Sequence, residues 1–74
     1  MRKIIYVQLL GEGTTVYRPV PAVEIDENVY LLKGEEIFDP DDEEWEFLPG
    51  TKVRVEQKDL EGEKVLVAVS KRDS

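Results

Sequence analysis

The chain is 74 residues long, 41% hydrophobic and formally −7 in net charge, which bounds it to a single small globular domain over 1–74 and excludes intrinsic disorder. It contains no Cys and no His, so structural zinc, iron–sulfur clusters, thiol nucleophiles and a histidine general base are excluded, and a reducing cytoplasm is the predicted setting. A domain this small buries only about 60–65% of its unfolded surface, so its core must be thin.

β-Structure is predicted throughout, because Val, Ile, Thr and aromatic residues are abundant and no stretch sustains a 3.6-residue apolar period. The predicted strands are 3–10, 15–24, 28–33, 45–48, 51–58 and 63–71. The opening Met1-Arg2-Lys3 followed by Ile4, Ile5, Tyr6 and Val7 has a signal peptide's charge order. Its apolar run is short and interrupted by Gln8, and it reads as a strand. Gly11-Glu12-Gly13-Thr14 makes the first turn; it does not continue into the glycine spacing of a dinucleotide site, since Val16 stands where the third glycine belongs. Pro19 and Pro21 lack the N–H that a ladder needs, so the second strand must be an edge, bulged or sharply bent. Asp26-Glu27-Asn28 is a tight turn, and Pro49-Gly50 suits a type II turn with glycine at the positive-φ position.

The last hairpin has a predicted register. Asp59-Leu60-Glu61-Gly62 fits a three-residue loop with Gly62 in the left-handed region, which sets Val55 opposite Val67 and Val53 opposite Val69 and gathers the valines on one face. Six short strands in so few residues are best accommodated by closure, which removes exposed edges. The predicted fold class is therefore all-β, a single small SH3-like barrel of five to six short antiparallel strands with an acidic loop between strands three and four. An OB-like barrel is the alternative and calls for a helix in that loop.

That loop carries the charge. Residues 35–46 hold Glu35, Glu36, Asp39, Asp41, Asp42, Glu43, Glu44 and Glu46 with no base, and the rest of the chain is nearly neutral. Asp39 or Pro40 can start a single helical turn at Asp41-Asp42-Glu43-Glu44. Calcium-loop spacing fails, because counting from Asp39 the required glycine and bidentate glutamate fall on Glu44 and Gly50. Trp45 and Phe47 share one face of an extended segment and belong to the core, with Glu44, Glu46 and Leu48 on the other. Tyr30 is a further aromatic near the acidic run, and Ser70 and Ser74 have no histidine to activate them.

Tyr6 to Thr14, then Val16-Tyr17-Arg18-Pro19-Val20, Asp42-Glu43-Glu44-Trp45-Glu46-Phe47-Leu48-Pro49-Gly50 and Leu66-Val67-Ala68 resemble a family of short uncharacterised bacterial proteins. The Tyr-Arg-Pro-Val and Trp-x-Phe-x-Pro-Gly pieces carry the likeness, with Tyr17 where that pattern has Trp. The resemblance implies a small SH3-like β domain and brings no activity and no catalytic residue.

These features predict a noncatalytic interaction module that contacts a basic protein through Tyr17, Arg18, Asp41, Asp42, Glu43 and Glu44. No cofactor, metal, nucleic-acid or membrane partner is predicted, because the bases are scattered and the carboxylates lack ligand spacing. A carboxylate-based metal or small-molecule binder or enzyme is one alternative, and a homo-oligomeric structural subunit another. The charge favours a monomer, with a weak homodimer as the variant.

Overall fold

The computed structural model describes residues 2–72, so Met1 and Ser74 lie outside the described residues. The elements are β1 (Arg2–Leu10), β2 (Val16–Asp26), β3 (Val29–Leu32), β4 (Glu44–Trp45), β5 (Lys52–Leu60) and β6 (Glu63–Lys71). Their lateral order is β2-β3-β5-β6-β1-β4, and β1 also pairs with β2. Five strands thus form a ring, with β4 added to the edge of β1. Every neighbouring pair is antiparallel except β1 and β6, which run parallel and meet at the single bridge between Tyr6 and Val67. No helix long and apolar enough to cross a membrane occurs among the described residues.

Alternation builds the inside of the ring. Ile5, Val7 and Leu9 from β1 meet Val20 and Ala22 from β2, Tyr30 and Leu32 from β3, Trp45 from β4, Val53 and Val55 from β5 and Ala68 from β6. Val16, Phe38, Phe47 and Leu66 pack around this cluster. Ile5, Val7, Val20, Leu32 and Val53 are fully buried, and each such side chain contributes about 1.5–3 kcal/mol of burial.

The prolines of β2 are accommodated at an edge. Residues 16–21 pair with β1 alone, because the β3 ladder begins at Ala22. The Pro21 carbonyl accepts the Lys33 N–H, so residue 21, and residue 19 two positions back, turn their backbone away from β1. The missing N–H groups therefore cost no ladder bond there. The predicted turns also form. Asn28 has φ 58°, Gly50 has φ 91° and the Thr51 N–H donates to the Leu48 carbonyl at 3.1 Å, as a type II turn at Pro49-Gly50 requires. The chain bends at Glu46 and Phe47 ahead of that turn, so the fourth strand ends at Trp45, short of the predicted 48.

The register of the last hairpin differs from the prediction. Val55 faces Ala68, Glu56 faces Val67 and Leu60 faces Glu63, which leaves a two-residue loop, Glu61-Gly62. Both loop residues have positive φ, 51° and 85°, the signature of a type I′ turn, whose twist matches that of paired strands. The irregularity sits instead between Arg54 and Val55, so Val53 faces Lys71 and Val69 is left over. The valines are consequently split: Val53 and Val55 enter the core cluster, whereas Val67, only 2% exposed, lies outside it. The physical reason is a strand apolar on both faces. Residues 65–69 read Val-Leu-Val-Ala-Val, so Val65, Val67 and Val69 make one apolar face and Leu66 and Ala68 another, the pattern selects neither for the core, and turn geometry decides.

Candidate functional site

The acidic segment is held down at three points. Gly34, at φ 99°, lies so close to the core that an added Cβ would come within 3.2 Å of Val20 and 3.5 Å of the Trp45 ring, and its carbonyl accepts the N–H groups of Ile37 and Phe38. This turn delivers Phe38 edge-on to Trp45, with ring centres 4.8 Å apart, a favoured aromatic arrangement. Asp39 then starts a tight turn over 40–42, earlier than the predicted 41–44 because Glu44 already belongs to β4: its side chain accepts the Asp41 N–H at 2.9 Å, and its carbonyl accepts those of Asp42 and Glu43. Finally the Glu43 carboxylate accepts the Trp45 indole N–H at 3.0 Å and stands 3.4 Å from Arg18 Nε.

The ladders separate the predicted site residues. Tyr17 pairs with Gln8 and Arg18 with Val7, a core-side position of β1; neighbours in a strand point to opposite faces. Arg18 thus reaches over the end of the core to Glu43, and its Nε is buried with no well-directed hydrogen bond. Arg18 and Glu43 form a structural clasp. Asp41, Asp42 and Glu44 are exposed, and Tyr17 lies on the other side of β2. Of the other aromatics, Tyr30 and Trp45 are core and Phe47 is half-buried.

Tyr17 instead lines a groove. An open hollow of about 830 Å³ lies between the β1–β2 sheet and the outer part of the β5–β6 hairpin. Its apolar lining is Tyr6, Val16, Tyr17, Leu60 and Val65, and its charged lining is Asp59, Glu61 and Glu63 against Lys58. A smaller hollow of about 150 Å³ shares Tyr17 and Lys58 and adds Gln8, Glu46 and Val67. Glu46 is fixed there because its N–H donates to the Gln8 carbonyl at 2.9 Å, so the end of the acidic segment reaches the groove. Nothing in the one-sided valine pattern pointed to this concavity. The available signal was the five consecutive apolar residues of β6, which demand a second apolar surface on the far face.

Among the described residues no group of three or more carboxylates gathers as metal ligands. The Asp26 carboxyl is held below its ordinary value, first by the Glu27 N–H and then by Arg72 at 3.1 Å; it lies at the β2–β3 turn and ties that turn to the end of β6. Compared with known proteins, the chain matches no protein-family model, no curated protein and no solved structure.

Proposed function

We propose that this chain is a noncatalytic, cytoplasmic interaction module, a small SH3-like barrel whose acidic segment meets a basic protein partner. One observation carries the reading. The segment is an ordered turn whose anchoring contacts are made by Gly34, Asp39 and Glu43, which leaves Asp41, Asp42 and Glu44 facing solvent without an ion-pair partner among the described residues. A rigid, unneutralised anionic surface steers a partner of opposite charge. Two tight turns occupy residues 35–42 where an OB-like barrel calls for a helix, which supports the SH3-like assignment.

The test is capture from lysate of the source cell, with the wild type and with D41N/D42N/E44Q, which spares the clasp residue Glu43. A directly binding basic protein should associate fast at low salt and more slowly at physiological salt, as the Debye length falls from about 30 Å at 0.01 M to about 8 Å at 0.15 M. The triple variant should slow that association without changing thermal stability. Equal rate and equal salt dependence in the variant contradict the reading.

A further inference from the structure

We infer that the groove between the two long hairpins binds a linear, extended peptide segment in which basic residues flank an apolar one. The inference rests on the reading of the chain as a binding module and assigns it a second contact, distinct from the exposed turn of the acidic segment. The floor is apolar: Tyr6 and Tyr17 from one sheet face Leu60 and Val65 from the projecting hairpin, and Val67 continues it into the smaller hollow. Both ends are anionic. Asp59, Glu61 and Glu63 lie at the hairpin tip and Glu46 at the opposite end, with Lys58 as the one base lining either hollow among the described residues.

Charge complementarity selects the occupant. Acids at both ends of an aromatic floor fit cationic groups on either side of an apolar side chain, and aromatic faces themselves attract such cations. The shape favours a segment over a small molecule. Small-molecule sites enclose 70–90% or more of their ligand, whereas this hollow is open along one side and continues past Lys58 into a second one. An extended chain spans such a trough with alternate residues directed to the floor and to the rims.

The probes are two short synthetic peptides with the same leucine–tyrosine centre, one flanked by arginines and the other by glutamates, titrated into ¹⁵N-labelled protein. The arginine peptide should shift the amides of Tyr6, Tyr17, Leu60 and Val65, and D59N/E61N/E63Q should weaken it by about five-fold, as expected for the loss of several exposed ion pairs. The glutamate peptide should leave those amides unmoved. If the glutamate peptide binds as well, the cationic class is wrong while the groove remains a binding site. If the arginine peptide shifts only Asp41, Asp42 and Glu44, the groove assignment is overturned and the proposed function stands. If neither peptide shifts any amide at millimolar concentration, the groove assignment is overturned as well.

Discussion

The two long hairpins are made of similar residues and behave differently. In β1–β2, every residue from Arg2 to Leu9 has a partner, and one face is core while the other is mixed. In β5–β6, the ring holds only the inner part: β3 pairs with residues 52–54 and β1 with Val67, so the outer part projects as a two-stranded arm. One-sided burial sets the register of the first hairpin, because a slip by one residue would turn Ile5, Val7 and Leu9 out of the core. The arm has apolar residues on both faces and little burial at its tip, so a two-residue turn sets its register. The groove exists because the arm projects.

The largest expected effect is in the first hairpin. Ile5→Ala removes a side chain with no exposed surface and should cost about 2–5 kcal/mol in urea denaturation, enough to unfold much of a domain of this size. Val65→Ala in the arm should cost less, about 1 kcal/mol, since that site is only partly buried. Equal losses at the two positions break the comparison.

Between the hairpins stands the clasp. Arg18→Gln leaves Glu43 without its cation and should cost about 1 kcal/mol, a modest figure because both side chains are partly wet, 36% and 26% exposed. The Trp45 indole N–H resonance should move as its carboxylate acceptor shifts. An unmoved indole signal shows that Glu43 is positioned by its own turn alone.

The arm itself offers a gain. Glu61 occupies a left-handed conformation at φ 51°, and Glu61→Asn creates the Asn-Gly pair that type I′ turns prefer, which should stabilise the protein by about 0.5–1 kcal/mol. A loss of stability on this change contradicts the two-residue loop.

The smallest effect is a titration. Asp26 is held below the ordinary aspartate value first by the Glu27 N–H and then by Arg72. Its contribution to stability is therefore complete above the unfolded-state value and is lost as pH falls through the lowered folded-state value. In Arg72→Gln the carboxyl resonance of Asp26 should titrate at higher pH but stop short of the ordinary value, because the backbone donor remains.

Features set by local chemistry were legible in the sequence. The Pro49-Gly50 and Asn28 turns, the start of a turn at Asp39, and the opposed faces of Trp45 and Glu44 each depend on a few adjacent residues. The role of Arg18 was not legible, because its partner Glu43 lies far along the chain and the two meet only when the ring closes. The groove was hidden for a related reason: Tyr17 and Val65 become neighbours only through the projection of the arm. The register of that arm could not be read from the valines, since Val65 and Val67 face the groove while Leu66 and Ala68 face the core.

Cross-strand backbone nuclear Overhauser contacts in the β5–β6 hairpin test the arm and the groove together. Contacts joining Val55 with Ala68 and Glu56 with Val67 are predicted, and they place Val67 in the groove floor. Contacts joining Val55 with Val67 and Val53 with Val69 would turn Val67 into the core, remove the far end of the groove, and contradict the division between the two hairpins.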